Sequence, residues 1–355
     1  MDYVYVHSKL QEIKFYTTYK NGKKDLRLEE TYGHGYIKYK LYDDYGKLFL
    51  DEMNKEVIFA IRYENPTRTQ KRDATVRPIT FSMNNTGGNH PTQEVIDRFP
   101  TIDGGTYTYA DWEKEGKDIF ALWENRDKRF YATIVYQGVT YFNTVMELNE
   151  NAQNDYAYGK NVGSKTGYYS RKAIDESLSV TDCQKSGTDY IDIRLAEVML
   201  NYAEAAVEVG KTNEAFDMLK QIRKRAGINE TSSNPEMKGR VYGLNPNMNQ
   251  TEMREAVREE RFIELLFEQK RLWDMRRWMI YDKLMNGQGK RHALVMNKQA
   301  DNTYTTYLFD RDNTPMITNQ NIYFLPMKRS EMSNNPNLEQ TKGWENGTFD
   351  PQARL

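Results

Sequence analysis

Cysteine and histidine are both scarce in this chain of 355 residues. Cys183 is the single cysteine, and the 4 histidines are isolated from one another, without the close spacings of metal-binding motifs. An internal disulfide is therefore impossible, and a zinc site built from cysteine and histidine is not expected. We interpret Cys183 as a buried or loop thiol, and we expect neither a metal nor a cofactor.

Long hydrophobic runs and an excess of charge are also absent. No apolar stretch approaches the length of a membrane-spanning helix. The 50 Lys and Arg residues balance 51 Asp and Glu residues, and the formal net charge of −1 creates no field that would attract nucleic acid. The opening residues, MDYVYVHSKLQEIKFYTTYKNGKK, have the wrong order for a secretion signal, and we find no lipid-anchor motif.

Motifs for catalysis are missing as well. No glycine pair is followed by the Lys-Ser or Lys-Thr of a phosphate-binding loop, and no serine lies in a nucleophile elbow. Glu260 and Glu264 are four residues apart on a predicted helix, but no histidine follows at the spacing that a metal site requires. We therefore expect a protein that is not an enzyme. We interpret Glu260, Glu264, Arg271 and Asp274 as members of ion pairs that hold helices in register.

The clearest positive signal is a helical hairpin. The segment Asp192–Gly227 fits one tetratricopeptide-type unit, with helices predicted at about 192–209 and 213–226. Gly210 is placed to end the first helix and Asn213 to cap the second. Because one such hairpin cannot bury its apolar face alone, neighbouring helices are expected. The residues predicted to fill the apolar positions of the hairpin are Met199, Tyr202, Ala203, Ala206, Ala215, Leu219 and Ile222.

Other elements follow from shorter patterns. Alternating apolar residues predict strands at Glu56–Tyr63, Phe130–Tyr136 and Val139–Phe142, with Gly138 at a hairpin turn between the last two. A long helix is predicted from Thr251 to about Leu284. Its predicted apolar stripe consists of Phe262, Leu265, Leu266, Leu272 and Trp273. Together these patterns predict a helical scaffold accompanied by loops and short strands.

Aromatic residues are abundant, with 26 Tyr, 14 Phe and 5 Trp. Between Pro100 and Tyr169, flat side chains cluster beside amides and charges in two predicted loops. The apolar faces of a sugar or a peptide can stack on such rings while polar neighbours bind hydroxyls or amides. The alternative is that these side chains pack down on the helical scaffold. The candidate ligand-binding residues are Tyr107, Tyr109, Trp112, Tyr156 and Tyr158.

Eight ordered segments, which together span about residues 39–345, resemble the SusD/RagB family. They include PTQEVIDRFPTIDG, YIDIRLAEVMLNYAEAAVEVG, VREERFIELLFEQKRLWDMRRW and FLPMKRSEMSNNPNLEQTKGW. The resemblance implies one domain over residues 38–355, with a loop-rich part (38–180), a helical-repeat part (181–284) and C-terminal loops with a closing segment (285–355). It also implies a mainly α fold, in which a tetratricopeptide-like helical scaffold (an α-α superhelix) carries a loop-rich, ligand-facing side with short strands. Residues 1–37 match nothing in the family pattern and are interpreted as an atypical N-terminal segment. The alternatives are a truncated chain, a gene with a mis-set or frame-shifted start, and a short natural variant.

Proteins of the SusD/RagB type are outer-membrane lipoproteins that bind nutrients for a TonB-dependent transporter. The resemblance therefore implies non-catalytic binding of a nutrient oligosaccharide at the cell surface. It also implies a SusC-like transporter as the partner and no role for nucleic acid. A peptide-binding receptor of the same family is the first alternative. The second alternative is a helical-repeat module for protein interaction, which is a common use of such scaffolds.

Overall fold

The computed structural model describes residues 39–52, 54–82, 87–285, 291–311 and 323–347. The atypical segment 1–37 therefore lies outside the described residues. The chain divides into two compact units, of which the first comprises Met1–Glu264 and Leu294–Tyr307, and the second Leu265–Ala293 and Leu308–Leu355. Among the described helices, none is long and apolar enough to cross a membrane. The domain parts drawn from the sequence stay predictions.

The first unit begins with short elements and ends with long helices. Up to residue 170 its elements are β1 (Val57–Ile61), α1 (Arg72–Val76), α2 (Gln93–Asp97), α3 (Tyr109–Glu115), α4 (Lys128–Thr133), β2 (Ile134–Val135), β3 (Thr140–Tyr141), β4 (Thr144–Val145) and β5 (Tyr169–Ser170). They are followed by β6 (Tyr190–Arg194), α5 (Leu195–Glu208), α6 (Thr212–Arg225) and α7 (Gln250–Glu264). The second unit contains α8 (Arg271–Arg277), α9 (Tyr281–Met285) and α10 (Arg329–Asn334), and the division passes through the paired strands β7 (His292–Lys298) and β8 (Tyr304–Asp310).

Helices α5 and α6 form the predicted hairpin, which confirms the tetratricopeptide-like scaffold. Gly210 follows α5 with a φ of +76°, a left-handed conformation that ends the helix. Helix α7 packs against both α5 and α6 and so supplies the neighbour that a single hairpin needs. The predicted positions that are buried are Met199, Ala203, Ala206, Ala215, Leu219 and Ile222.

Two details of the hairpin prediction are wrong. Helix α6 begins at Thr212, so Asn213 lies inside its first turn and does not cap it. Tyr202 is 48% exposed, and its hydroxyl donates a hydrogen bond to the carboxylate of Glu214 at the start of α6, so it bridges the two helices at the surface and does not fill the apolar contact. Ala203 and Ala206 of α5 are thus buried in the hairpin, while its one aromatic side chain remains at the surface.

The strands of the first unit are short and occur in pairs. Strand β1 confirms the strand predicted at Glu56–Tyr63, and it pairs antiparallel with β6. The strand predicted at Phe130–Tyr136 is wrong in its first half, because the Asp127 carboxylate accepts hydrogen bonds from two backbone N–H groups and caps helix α4 there. Gly138 turns the chain with a φ of +84°, but β2 pairs with β5, and β3 pairs with β4 instead of with β2.

The long helix predicted in the C-terminal half is also wrong, because α7 ends at Glu264. Phe267 and Gln269 adopt φ values of +64° and +63°, which an α-helix of L-residues does not accommodate. The chain resumes as α8 and α9 within the second unit. The predicted apolar stripe is therefore interrupted, and two of its members, Leu272 and Trp273, are exposed.

Glu260 and Glu264, on the buried side of α7, contact arginines from other elements. Arg129 of α4 lies 2.6 Å from Glu260 and 3.1 Å from Glu264. Arg223 of α6 lies 2.7 Å from Glu260. Arg194, the last residue of β6, lies 2.6 Å from Glu264. The ion pairs predicted for these two carboxylates are confirmed, and their partners are now known.

Glu56 and Arg225 extend the same cluster. Arg194 bridges Glu264 and Glu56, with 2.7 Å between its guanidinium and Glu56, and Arg225 bridges the same two carboxylates. All these side chains are buried. The buried ion network consists of Glu56, Asp127, Arg129, Arg194, Arg223, Arg225, Glu260 and Glu264. It joins the β1–β6 pair, α4, α6 and α7 within the first unit.

The other two residues predicted to take part in ion pairs lie in the second unit. Asp274 pairs with Arg277 at 2.9 Å, one turn later in the same helix. The pairing predicted for Arg271 stays a prediction. Within the described ranges, no group of three His, Cys, Asp or Glu side chains could hold a metal ion.

The ionised state of the network follows from its charges. Burial alone would raise the pKa of Glu264, but Arg225, Arg194 and Arg129 hold it well below its usual range. The pKa of Glu260 is likewise lowered, because Arg129 and Arg223 outweigh the effect of burial. Glu260 and Glu264 are therefore ionised, and removing one partner would leave an uncompensated buried charge.

We expect Ala203→Leu to reduce the free energy of unfolding by about 1–3 kcal/mol, because the added methylenes must displace the contact between α5 and α6. Ala205 lies exposed on the same helix, so Ala205→Leu is the matched control and should change little. Urea unfolding followed by circular dichroism measures both variants. Equal midpoints would contradict the packing described for the hairpin.

We expect Glu264→Gln to reduce the free energy of unfolding at pH 7 by about 3–5 kcal/mol, because three arginines lose a buried counter-charge. Glu208→Gln is the control, since its partner Arg254 and Glu208 itself are much more exposed. That variant should unfold close to the parent.

The stability of the parent protein should depend on pH differently from that of Glu264→Gln, and the sign of the difference is known. The lowered pKa of Glu264 means that its contribution is fully present above the ordinary glutamate value of about 4.3 and is lost as the pH falls toward the folded-state value. Between pH 5 and about pH 3, the parent should therefore lose stability faster than Glu264→Gln. Parallel losses in the two proteins would show that Glu264 does not carry this charge.

Candidate ligand-binding site

Four of the five side chains predicted to bind ligand are buried. Trp112 is only 8% exposed, and Tyr109, Tyr156 and Tyr158 are equally inaccessible. Tyr107 is half-buried, and its hydroxyl donates a hydrogen bond of 2.7 Å to Glu115. The expectation that these loops expose flat ring faces is therefore wrong for the four buried residues. Their direct contact with a ligand stays a prediction.

Tyr109 and Trp112 act as supports. Their rings contact each other, with 5.3 Å between centroids. The Trp112 indole N–H donates a hydrogen bond of 2.9 Å to the carbonyl of Asp118, and the Tyr109 hydroxyl lies 3.1 Å from the Thr306 hydroxyl on β8. These contacts fix the start of a short 3₁₀ helix, Ile119–Trp123.

The second predicted loop packs on different neighbours. The Tyr156 ring lies 5.7 Å from the ring of Phe81, and the carbonyl of Tyr156 accepts a hydrogen bond from the Tyr169 hydroxyl. The N–H of Tyr158 donates to the carbonyl of Leu148. Both tyrosines therefore belong to the interior of the loop region. The alternative that they are buried is confirmed, but these contacts are with Phe81, Tyr169 and Leu148 and not with the helical hairpin.

Accessible aromatic faces do occur close to Trp112, on other residues. Phe120 is 39% exposed and Tyr131 is 36% exposed, while Tyr136 and Tyr304 are half-buried. We call these four side chains the aromatic platform. Phe120 lies 5.9 Å from Tyr304, and Tyr136 lies 6.4 Å from Tyr131, measured between ring centroids. The buried Trp123 lies beneath them and contacts both Phe120, at 6.0 Å, and Tyr136, at 5.1 Å.

Local sequence explains why Phe120 faces outward. In the 3₁₀ helix, Ile119, Leu122 and Trp123 are buried, and Phe120 occupies the opposite side. The Asp118 carboxylate accepts a hydrogen bond of 2.9 Å from the N–H of Phe120 and caps the helix.

A glycine makes room for the Phe120 ring. A Cβ atom at Gly138 would lie 2.6 Å from Cε1 of Phe120, and the φ of Gly138 is +84°. Any other residue at this turn would both strain the backbone and displace the ring. The platform therefore depends on a glycine of the β2–β3 turn.

The hydroxyl groups of the platform have different environments. Tyr131 donates a hydrogen bond of 2.9 Å to the carbonyl of Trp123 and accepts one of 3.2 Å from the N–H of Arg126. Its ring is thus held from below with one face accessible. Burial and the neighbouring Tyr131 raise the pKa of Tyr136 to about 12, so this phenol stays neutral at physiological pH.

Gln137 lies behind the platform and is buried. Its side-chain oxygen accepts hydrogen bonds of 2.7 Å from the N–H of Leu148 and 3.1 Å from the N–H of Asn149. Its side-chain nitrogen donates a hydrogen bond of 3.2 Å to the Tyr304 hydroxyl. The platform thus combines flat apolar faces with oriented polar groups, which is the composition of a site for an amphipathic ligand.

Sequence reasoning missed all four platform residues. Phe120, Tyr131 and Tyr136 lie in the segment from Pro100 to Tyr169 to which the site was assigned. They were not chosen, because Phe120 falls in a stretch predicted to be helical, and the two tyrosines fall in the strand predicted at Phe130–Tyr136. The three-residue spacing of the apolar residues Ile119 and Leu122 was the sequence signal available for predicting that Phe120 faces outward. No local pattern could have added Tyr304, because 167 residues separate it from Gln137.

The fold and the platform together define the class of protein, which is a tetratricopeptide-like helical scaffold with a loop-rich aromatic surface. The model of the SusD family matches residues 55–344 of this chain. Since that match covers most of the sequence, the protein belongs to the SusD family. The family resemblance drawn from the ordered sequence segments is confirmed, and so is the fold class.

Individual relatives are similar over part of their length. SusD-like protein P2 of Formosa agariphila is 29% identical over 160 residues, which are 45% of this chain and 28% of that protein. The crystal structure of a SusD-like protein of Bacteroides fragilis is 27% identical with a TM-score of 0.66, and the alignment covers 86% of this chain and 59% of that one. A SusD-like carbohydrate binding protein of Bacteroides fragilis is 24% identical with a TM-score of 0.63, over 84% of this chain and 57% of that one. The chain therefore spans less than two thirds of each of these relatives.

We expect Trp112→Ala to reduce the free energy of unfolding by about 3–5 kcal/mol, because it removes a buried ring and its hydrogen bond to the Asp118 carbonyl. Phe120→Ala should reduce it by less than half as much, since the ring is partly exposed before the change. Urea unfolding of both variants is the measurement. A larger loss for Phe120→Ala would contradict the assignment of Trp112 as a support and Phe120 as a surface residue.

Proposed function

We propose that this protein binds a nutrient oligosaccharide on the aromatic platform and does not act on it chemically. The observation that carries the proposal is the row of accessible rings, Phe120, Tyr131, Tyr136 and Tyr304, on one part of the first unit. Membership of the SusD family supports it, as does the relative described as a carbohydrate binding protein. Of the five residues chosen from the sequence, Tyr109 and Trp112 are proposed as supports of this surface and Tyr107 as a further contact. Tyr156 and Tyr158 pack on different neighbours, and their contact with a ligand stays a prediction.

The physical argument rests on the two faces of a sugar ring. Pyranose C–H groups form an apolar face that stacks on aromatic side chains, while the hydroxyl groups at the ring edge need donors and acceptors. Phe120 and Tyr131 offer exposed ring surface, and Tyr304 offers a hydroxyl beside the Phe120 ring. Rings that are already packed against Trp123 need little reordering when a ligand binds, which reduces the entropic cost of association.

The charges at the edge of the platform favour an uncharged ligand. Burial raises the pKa of the Tyr304 hydroxyl, and the carboxylates of Glu147 and Asp118 raise it further, so their negative potential extends to this side of the platform. Lys298 lies 3.9 Å from Glu147 and offsets part of its charge. At Tyr136 the charge of Arg171 acts in the opposite sense and opposes the rise of the pKa, so the negative potential concerns the Tyr304 side of the platform. A sulfate or uronate group placed beside Tyr304 would meet unfavourable electrostatics. We therefore propose a neutral oligosaccharide.

The proposed setting is the cell surface of the outer membrane, with delivery of the bound sugar to a SusC-like TonB-dependent transporter. This part of the proposal comes from the family. The side of the first unit that carries the platform is formed by short helices, short strands and loops, whereas α5, α6 and α7 pack their apolar faces on one another. Recognition by loops and support by helices is a common division of labour in binding proteins.

The test is calorimetric titration of the purified chain with neutral hexasaccharides (maltohexaose, cellohexaose, xylohexaose and mannohexaose), an oligogalacturonate, and a set of neutral hexapeptides. We expect a neutral hexasaccharide to bind and Phe120→Ala to weaken its binding about fivefold or more, because one stacked ring contributes about 1 kcal/mol. Tyr131→Ala should have a similar effect.

Tyr202→Ala is the matched control, since Tyr202 is an aromatic residue of similar exposure on the scaffold helix α5. It should leave the affinity unchanged. Equal binding by the parent and both platform variants would place the site elsewhere, and the Tyr107→Ala and Tyr156→Ala variants would then test the residues predicted from the sequence. Binding of hexapeptides without any hexasaccharide would favour the peptide receptor.

A further inference from the structure

The orientation of the Gln137 side-chain amide is determined by its neighbours. Backbone N–H groups can only donate, and those of Leu148 and Asn149 both point at one atom of this amide, at 2.7 and 3.1 Å. That atom must therefore be the carbonyl oxygen. The amide nitrogen then faces the Tyr304 hydroxyl at 3.2 Å and has to donate to it. The Tyr304 oxygen accepts, so its own hydrogen is not used in this contact.

We propose that Tyr304 is the hydrogen-bond donor of the aromatic platform and that Gln137 is the positioning residue that gives it this role. The inference rests on the proposed function, because it assigns one contact within the same site. The proposed hydrogen bond has a fixed direction, because Tyr304 donates its O–H hydrogen to a ligand oxygen, such as a sugar hydroxyl or ring oxygen. A ligand group that can only donate would not satisfy this contact.

The contrast with Tyr131 shows that this role is specific. The Tyr131 hydroxyl both donates, to the Trp123 carbonyl, and accepts, from the Arg126 N–H. Its hydrogen is therefore used within the protein. In the part of the chain that the structure describes, Gln137 is the one side chain recorded as a hydrogen-bond partner of the Tyr304 hydroxyl, and it uses only the oxygen.

The position of Gln137 explains why it can impose this direction. Gln137 belongs to the β2–β3 turn and is buried against the segment that contains Leu148. Its side-chain oxygen accepts three hydrogen bonds there, one from Leu148 and two from Asn149. Flipping the amide would leave two backbone N–H groups facing an NH₂ group, which costs two hydrogen bonds. The effect is also visible in acidity, since the hydrogen bond from Gln137 lowers the Tyr304 pKa and opposes the effects of burial and of the nearby carboxylates.

The first experiment measures binding of maltohexaose, cellohexaose, xylohexaose and mannohexaose by calorimetry. Tyr304→Phe keeps the ring and removes the hydrogen, so we expect the hexasaccharide that binds the parent to bind about 2- to 12-fold more weakly. Gln137→Glu keeps the acceptor for Leu148 and Asn149 but makes Tyr304 donate inward, and it should weaken binding by the same factor. Tyr307→Phe, an exposed tyrosine on the same strand, is the control and should not change the affinity.

The double variant distinguishes a positioning role of Gln137 from a general structural effect of its replacement. The double variant Gln137→Glu with Tyr304→Phe should bind no more weakly than either single variant, because both remove the same hydrogen bond. Losses that add would contradict the role of Gln137. If Phe120→Ala weakens binding but Tyr304→Phe does not, the inference fails while the proposed function stands. If no hexasaccharide binds the parent, the proposed function fails and the inference falls with it.

A second experiment reports the hydrogen-bond direction without a ligand. The pKa of Tyr304 is measured by nuclear magnetic resonance on protein with ¹³Cζ-labelled tyrosine, and its signal is assigned by its absence in Tyr304→Phe. If Gln137 donates to the phenol oxygen, Gln137→Met must raise the Tyr304 pKa, because the phenolate loses a donor. A lowered pKa in a variant with an unchanged folded spectrum would mean that Tyr304 donates to Gln137, and it would overturn the inference.

Discussion

The charge of Glu264 is the constraint on which the first unit depends. A carboxylate without solvent exposure is tolerated only where cations replace its hydration, and Arg129, Arg194 and Arg225 do so here. These arginines come from α4, the end of β6 and α6, so elements far apart in the sequence must meet at the end of α7. The hairpin supplies apolar burial, but the buried ion network determines which elements surround it.

Helix α4 connects this network to the aromatic platform. Arg129 points inward to Glu260 and Glu264, while Tyr131, two residues later, exposes its ring in the aromatic platform. Phe130 lies between them and packs against Tyr136, with 5.3 Å between centroids. A short helix is thus held at one side by charge and at the other by aromatic packing. Contacts on both sides of the helix therefore hold Tyr131 in place, and a ring held in this way needs little reordering when a ligand binds.

The candidate site illustrates the limit of reasoning from composition. Tyrosines beside amides and charges indicated a stretch of chain that also carries Phe120, Tyr131 and Tyr136. The four chosen residues that are buried there are Tyr109, Trp112, Tyr156 and Tyr158. An amphipathic ring is compatible with a surface and with a core, so its local sequence does not decide between them. Whether such a ring is buried depends on neighbours that are distant in the sequence: Thr306 contacts Tyr109, and Phe81 contacts Tyr156.

The sequence by itself determined the helical hairpin, the family and the absence of a catalytic motif. Spaced small residues and Gly210 are local features, and they act within one turn of helix. Tertiary structure alone decided the partners of Glu260 and Glu264, the end of α7 and the position of Tyr304 beside Phe120. Each of these depends on contacts or backbone conformations that local propensity does not encode, because burial of charge and exposure of rings are set by how distant segments pack.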